Sequence, residues 1–356
     1  MAVCNNGEAS MPVKKPLTAL KPTRQQVASV RAIVTWYLDL YHGTRHDPGL
    51  LSMFCDPKRV GAFAVTPAEL RREDPNALFR MLVAATMFQR RQDVQIMRVL
   101  RGLSTEDVAE IGKPKRLLTM VDSTACQHLK SNQALRTGCD LSKHHVTRQG
   151  QCSANPNVQC HLKRHTVLLR RYGHFGKVPT SAALALREAG AASLGELRRK
   201  ILRSAVDPGE RSRLLEEELC RMWRVSDKIA AMFLSALMAP DLCSVRPPWK
   251  GGTEWTHFVV VDSNVDLLLG ALKYAGSSSY AARRAFVREL SSRIELDELR
   301  PGLTAFNPRL VQQAMYLFMS SANRRAAKID CMHEGPEACA RCPRTLSRLC
   351  PVRQTS

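Results

Sequence analysis

We expect an all-α fold for this chain of 356 residues, because apolar residues recur at helical spacing along most of its length. Hydrophobic residues make up 44% of the sequence, which excludes a disordered chain and is enough for one large core or two smaller ones. Only residues 257–261 look strand-like, and that run is short.

Three helices have clear sequence signals. The segments 30–38 and 78–87 each carry apolar residues on one face, and Asp74, which precedes a proline, supplies a start for the second helix. Asn307 also precedes a proline and opens a third helix with a continuous apolar face.

Three segments depart from this helical pattern. Residues 1–24 are basic and lack periodicity, so we expect a flexible tail. Residues 122–165 are rich in Cys, His, Gln and Asn, and residues 240–256 are rich in Pro and Gly. We expect the latter two to be insertions between helices.

The charge of the chain indicates a polyanionic partner. Lys and Arg number 53 against 32 Asp and Glu, which gives a net charge of +21. This surplus exceeds what a solvated surface needs, so we expect a polyanion, such as double-stranded DNA, as the partner. The sequence shows no bilayer-spanning apolar run and no signal-peptide pattern. We therefore expect an intracellular monomer, in the cytoplasm or nucleoid, without a membrane partner.

Four of the twelve cysteines lie near the C-terminus, and they are Cys331, Cys339, Cys342 and Cys350. Their spacing is C-x7-C-x2-C-x7-C, and a long apolar helix precedes them. One ion or cluster must be reached by several thiolates at once, so this clustering indicates a metal site. Soft thiolates suit either zinc or an iron–sulfur cluster.

A second group of candidate metal ligands lies within residues 126–165. Its members are Cys126, His128, Cys139, His144, His145, Cys152, Cys160, His161 and His165. A second zinc ion would take four of them, but no pair has the C-x2-C spacing of a zinc knuckle. The alternative, which we favour, is a basic insertion whose Lys and Arg side chains contact DNA phosphates.

The C-terminal cysteines resemble those of helix-hairpin-helix DNA glycosylases of the endonuclease III type. In that family the second and third cysteines are also two residues apart, and a proline often follows the third, as Pro343 follows Cys342 here. The outer gaps are longer in this chain than in the family. The resemblance implies that the four cysteines hold a [4Fe–4S] cluster, with zinc as the alternative.

Two more blocks follow the family's order. Residues 220–237 resemble its hairpin, with Lys228 at the position of the lysine nucleophile found in enzymes that also cut the strand. Arg224 and Ser226 stand where the hairpin has glycines, whose backbone approaches a DNA phosphate closely. Asp262, in the segment 261–265, resembles the catalytic aspartate of the family.

The chemistry of base removal explains why a lysine and an aspartate are wanted. The base must first be rotated out of the duplex. Cleavage of its N-glycosidic bond builds positive charge on the sugar, and the carboxylate of Asp262 would stabilise that charge. A neutral Lys228 amine would attack C1′ and form a Schiff base. The alternatives are that Asp262 is only a helix N-cap and Lys228 only a solvated surface residue.

Residues 77–94 resemble the first helix of the family's barrel, in which a glutamine-containing turn fills the gap left by the extruded base. Gln89 corresponds to the first glutamine of that turn, and Arg90 replaces the second. An equally good interpretation makes Gln89 and Arg90 a polar helix end.

The prediction is a two-lobed helix-hairpin-helix DNA glycosylase with a C-terminal four-cysteine metal clasp. Residues 78–257 would form a helical barrel, and residues 25–77 with 258–356 would form the cluster-bearing lobe. We expect the active site in the cleft between the lobes, with Lys228 facing Asp262. The alternatives are a catalytically inactive DNA-binding protein on the same fold and a zinc-dependent nucleic-acid adaptor.

Overall fold

The computed structural model describes residues 20–89, 91–143, 150–152, 160–170, 173–329, 331–334 and 336–352. The fold is all-α, as predicted, except for one short antiparallel strand pair. Among the described residues, no helix is both long enough and apolar enough to cross a membrane. Most of the expected basic tail, together with Arg90, His144 and His145, lies outside the described residues.

The described residues form 21 α-helices. In chain order they are α1 (Arg24–Leu40), α2 (Leu50–Phe54), α3 (Pro57–Val60), α4 (Pro67–Arg71), α5 (Pro75–Ala85), α6 (Asp93–Arg101), α7 (Thr105–Ile111), α8 (Pro114–Asp122), α9 (Asn132–Thr137), α10 (His161–Leu168), α11 (Val178–Glu188), α12 (Leu194–Ser204), α13 (Pro208–Cys220), α14 (Asp227–Met238), α15 (Ser263–Ala271), α16 (Tyr280–Ser291), α17 (Leu296–Leu299), α18 (Pro308–Met319), α19 (Ser321–Ala327), α20 (Pro336–Arg341) and α21 (Arg344–Leu349).

Strands β1 (Leu141–Lys143) and β2 (Gly150–Cys152) pair antiparallel, with Leu141 opposite Cys152. The 3-10 turns are Gly61–Phe63, Gln127–Leu129, Gly173–Lys177, Trp255–His257 and Cys331–His333. The region 122–165 therefore contains α9, the first residues of α10, a 3-10 turn and a strand pair in addition to its loops.

The chain divides into two compact units, which we call the first unit and the second unit. The first unit contains residues 54–233 and 248–254. The second unit contains residues 20–53, 234–247 and 255–352. One of the crossings between the two units lies inside α14, between Phe233 and Leu234.

In the first unit, α5 is a central buried helix. Asp74 caps it as the sequence predicts, and its Oδ1 accepts hydrogen bonds from Asn76 N (3.0 Å) and Ala77 N (2.8 Å). Every residue from Ala77 to Ala85 except Arg80 is buried, and α5 packs against α4, α7, α11 and α12. An apolar helix that is buried nearly all round must lie inside its unit.

Gly176 marks a close approach between α10 and the 3-10 turn Gly173–Lys177. A Cβ atom at this position would lie 2.0 Å from Leu162 O and 2.2 Å from Thr166 Oγ1. Only glycine allows the turn to approach the helix backbone this closely. This approach fixes Lys177, the last residue of the turn, at the start of α11.

In the second unit, helices from both ends of the chain share one core. Helix α1 packs against α16, α18 and α21, and α18 also packs against α15 and α19. The predicted apolar residues of α1 and α18, among them Val30 and Met315, are fully buried in this core. Residues 257–261 form no strand there; a 3-10 turn is followed by an irregular segment whose Val259 and Val261 pack into the core.

Of the loop expected at 240–256, residues 240–254 contain no helix or strand, and residues 255–256 begin the 3-10 turn Trp255–His257. In the first unit, Arg198 Nη2 donates to Lys250 O and Gly251 O, each at 3.1 Å. Arg211 Nη1 donates to Gly252 O at 3.0 Å. Two arginines therefore hold the end of the loop through its backbone carbonyl groups.

The buried side chain of Asn307 gives a test of the second unit. Its Oδ1 accepts from Leu310 N (3.0 Å) and its Nδ2 donates to Pro240 O (2.7 Å). Asn307→Ala removes the cap of α18 and leaves the Pro240 carbonyl without this donor, so we expect the free energy of unfolding to fall by about 2 kcal/mol. Chemical denaturation measures it. Asn76→Ala, at a partly exposed position in α5, is the control, and an equal loss there would contradict the assignment.

Candidate functional site

A short turn joins α13 to α14 and carries two of the predicted DNA-contact residues. Met222 and Val225 are buried, and Val225 N donates to Met222 O at 3.2 Å. Arg224 has a φ of +65°, which is the left-handed region that favours glycine. The backbone at this position therefore has a conformation typical of glycine, although the residue is an arginine.

The side chain of Arg224 lies over two aromatic rings. Its guanidinium carbon is 5.6 Å from the ring centroid of Phe175 and 5.5 Å from that of Trp223. Ser226, the other predicted contact residue, is partly exposed just before α14, and its carbonyl accepts from Ala230 N at 2.9 Å. Arg224 and Ser226 thus lie within the three residues that precede α14.

Gln89 lies next to the same turn. Its Nε2 donates to Thr86 O (2.7 Å) and to Arg224 O (2.8 Å). The structure therefore brings together two sequence blocks that are 135 residues apart. The amide of Gln89 supports the backbone of the turn, and its predicted insertion into DNA stays a prediction.

Three further polar side chains support this turn, and sequence reasoning missed them. Asn132 Nδ2 and Arg136 Nη1 donate to Arg221 O at 2.9 Å and 2.8 Å. Lys177 Nζ lies 4.7 Å from the ring centroid of Trp223. Burial lowers the pKa of Lys177, and the charge of Arg224 lowers it further. No residue spacing predicts these contacts, because they join three separate segments of the chain.

Lys228 occupies the first turn of α14 and is partly exposed. It belongs to the first unit, whereas Asp262 belongs to the second. The expected opposition of these two residues stays a prediction.

Asp262 is the N-cap of α15. Its Oδ1 accepts from Asn264 N (3.1 Å) and Val265 N (2.9 Å). This confirms the interpretation that Asp262 caps the helix starting at Ser263. A capping carboxylate is held in one orientation, so the cap is compatible with a second role in catalysis.

Arg309, a buried residue of α18, places a positive charge near Asp262. Its Nε donates to Ser235 Oγ at 2.9 Å. Burial lowers its pKa to about 10, and the nearby Tyr37, Asp262 and Tyr280 act in the opposite direction. Arg309 therefore remains a cation at neutral pH, and Asp262 is one of the groups that stabilise its charge. Its position on the apolar face of α18 was the one sequence signal that could have revealed it.

The four C-terminal cysteines are partly exposed and lie in the second unit. Arg324 donates from Nη1 to Cys350 Sγ (3.6 Å) and from Nη2 to Cys331 Sγ (3.8 Å). Burial raises the pKa of Cys342, as do the neighbouring Cys350 and Cys339. The thiols therefore share one neighbourhood. Across the described part of the chain, no three His, Cys, Asp or Glu side chains form a ready metal-ligand set.

The described members of the Cys and His group in 126–165 have different surroundings. Cys126 is exposed, whereas Cys139 and Cys160 pack with one apolar cluster of the first unit. His165 is fully buried, with Nε2 at 3.5 Å from Glu110 Oε1, which is long for a hydrogen bond. His165 and then Arg164 lower the pKa of Glu110 to about 2.

His161 is a neutral imidazole at physiological pH. Its Nε2 lies 3.1 Å from Thr180 Oγ1, and its ring is 5.2 Å from that of His165. Burial lowers the pKa of His161 to about 4, and repulsion by His165 acts in the same direction. Neutral imidazole is the form that binds metals, but here the ring is already engaged with a hydroxyl group.

No protein-family model, curated protein sequence or solved structure matches this chain.

The left-handed backbone of Arg224 can be tested by paired substitutions. Arg224→Gly and Arg224→Ala both remove the guanidinium, so their difference reports the backbone alone. We expect the glycine variant to be more stable by about 1 kcal/mol in chemical denaturation, because alanine is strained at positive φ. At Lys200, in the ordinary helix α12, the order should reverse. A more stable alanine variant at 224 would contradict the assigned backbone conformation.

The low pKa of His161 predicts a pH-dependent stability. Between pH 6.5 and about 4 the unfolded chain binds a proton at this residue and the folded chain does not, so stability falls as the pH falls through this range. We expect His161→Gln, which cannot titrate, to reduce this fall by about 2 kcal/mol, allowing for partial exposure of the ring. Unfolding free energies measured from pH 7 to pH 4 check it. Identical pH profiles for the wild type and His161→Gln would refute it.

Proposed function

We propose that this chain is a DNA glycosylase that excises a damaged, mismatched or modified base from double-stranded DNA. The observation that carries the proposal is the turn between α13 and α14. Arg224 there has the backbone conformation of a glycine, at the position of a hairpin glycine in the endonuclease III type of glycosylase. Lys228 follows in the first turn of α14, as the resemblance requires.

The cations around this turn support a phosphate-binding role for it. Arg136, Arg221 and Arg224 lie on or beside the turn. Phosphate contacts position a protein on a duplex, and their number determines how steeply affinity falls with salt. The net charge of +21 agrees with such a partner.

Asp262 is proposed as the catalytic carboxylate. Its two backbone hydrogen bonds orient it, and the cation of Arg309 lies near it. An ionised, oriented carboxylate stabilises the positive charge that develops on the sugar as the base leaves. Lys228 is proposed as the nucleophile of an additional AP-lyase activity, in which its amine condenses with the C1′ aldehyde of the abasic sugar, releases water and forms a Schiff base.

The four C-terminal thiols are proposed to hold a [4Fe–4S] cluster, with zinc as the alternative. The donor types support this proposal, because four soft thiol ligands share one neighbourhood and a buried cation donates to two of them. Such a cluster, once bound, would fasten the C-terminal segment and supply a one-electron redox centre. Base excision itself is assigned to protein side chains alone.

Asp262→Asn tests the catalytic role. Asparagine caps helices as well as aspartate does, so the variant removes the charge and keeps the cap. Against a panel of duplexes with different lesions, we expect excision to fall by about 100-fold or more, with the salt dependence of DNA binding unchanged. Asp266→Asn in the same helix is the control. No excision by the wild type, despite tight binding, would instead favour the inactive DNA-binding protein.

Borohydride trapping separates the lyase from the glycosylase. We expect the wild type to form a covalent adduct with a cleavable duplex, and Lys228→Ala to lose it. Lys250→Ala, at an exposed lysine of the same unit, should keep it. Excision without trapping would restrict the function to base removal, with water as the attacking group.

A further inference from the structure

Arg324, a buried residue of α19, has contacts with a carbonyl oxygen, two sulfur atoms and two aromatic rings. Only 1% of its surface is exposed. One of its nitrogens donates to Phe318 O at 3.0 Å, and the guanidinium lies over the rings of Trp36 (5.0 Å) and Phe318 (5.5 Å). All of these groups belong to the second unit.

The two sulfur contacts of Arg324 join the first and last cysteines of the C-terminal group. Nη1 reaches Cys350 Sγ at 3.6 Å, and Nη2 reaches Cys331 Sγ at 3.8 Å. A neutral thiol is a weak hydrogen-bond acceptor, whereas a thiolate is a strong one and carries a charge. The planar guanidinium presents donors in a fixed fork, so it holds both sulfurs in a defined relation.

We propose that Arg324 is the positioning residue and counter-charge of a metal group bound by Cys331, Cys339, Cys342 and Cys350. It holds the two outer sulfurs on one side of that group and offsets the negative charge of the thiolates. This inference rests on the metal occupancy included in the proposed function. It does not depend on base excision.

The burial of Arg324 determines how strongly it acts. Water screens charge interactions, and a guanidinium with 1% exposure is shielded from it. Partners that hydrogen-bond to metal ligands typically change metal affinity by about 10- to 100-fold when they are replaced. A positive charge beside an iron–sulfur cluster also stabilises its more negative, reduced form.

The test compares the full-length wild type with Arg324→Met, Arg324→Lys and Arg325→Met. Arg325 is the exposed neighbour in the same helix and serves as the matched control. Iron, sulfide and zinc are first measured in the purified wild type. The rate of metal loss to EDTA is then followed for each protein, with circular dichroism reporting whether each variant is folded.

We expect Arg324→Met to lose its metal about 10- to 100-fold faster than the wild type. Arg324→Lys keeps the charge without the fork and should lose metal at an intermediate rate, and Arg325→Met should match the wild type. If iron is present, the midpoint potential of Arg324→Met should be more negative. If Arg324→Met does not fold, the rate of metal loss to EDTA is compared between Arg324→Lys and Arg325→Lys instead. Faster loss from Arg324→Lys then supports the inference.

A wild-type rate of metal loss in Arg324→Met, or a wild type that binds neither iron nor zinc, would overturn the inference. Zinc in place of iron would refute the proposed iron–sulfur cluster. The rates of zinc loss to EDTA would then still decide the role of Arg324. Faster metal loss in Arg324→Met, together with a wild type that excises no base, would support the inference and reject the glycosylase.

Discussion

Burial of positively charged side chains is the constraint on which much of this structure depends. The chain has a net charge of +21, yet Arg198, Arg309 and Arg324 are all less than 10% exposed. Their partners include backbone carbonyls, neutral side chains, sulfurs and aromatic rings. Burial lowers the pKa of Arg198 and of Arg309 even though acidic groups act against it, with Glu73 at 3.7 Å from Arg198 and Asp262 near Arg309.

Two of these buried arginines hold a loop and the C-terminal segment. Arg198 bonds to the carbonyls of Lys250 and Gly251, and its guanidinium lies over the ring of Trp249. Arg324 reaches the last cysteine, 26 residues further along the chain. A carbonyl or sulfur that faces a buried guanidinium gains a charged donor, so these contacts stabilise the end of the loop and the C-terminal segment.

Local features of the fold were predictable from the sequence. The starts of α5 and α18 follow from Asp74 and Asn307, because an N-cap side chain bonds only to backbone groups two or three residues ahead. The same rule gives α15 and its cap Asp262. The prediction for 257–261 was less informative, since buried valines satisfy a strand pattern and an irregular core segment equally well.

The candidate site was predictable only in its residue types. Lys228, Asp262 and the four cysteines stand out by order and spacing, but Arg309 and Arg324 do not. Each of these arginines acts through a partner that is distant along the chain or lies on another element. The hydrogen bond from Gln89 to Arg224 O likewise joins residues that are distant along the chain.

The sequence by itself determined the all-α class, the helix starts, the positive charge and the clustering of the C-terminal cysteines. All of these depend on composition or on residues within a few positions of one another. Only the tertiary structure decided that Arg224 takes a left-handed backbone, that Gln89 supports it, and that Arg324 meets Cys331 and Cys350. The reason is physical: a buried polar group must find a partner in space, and packing rather than spacing supplies it.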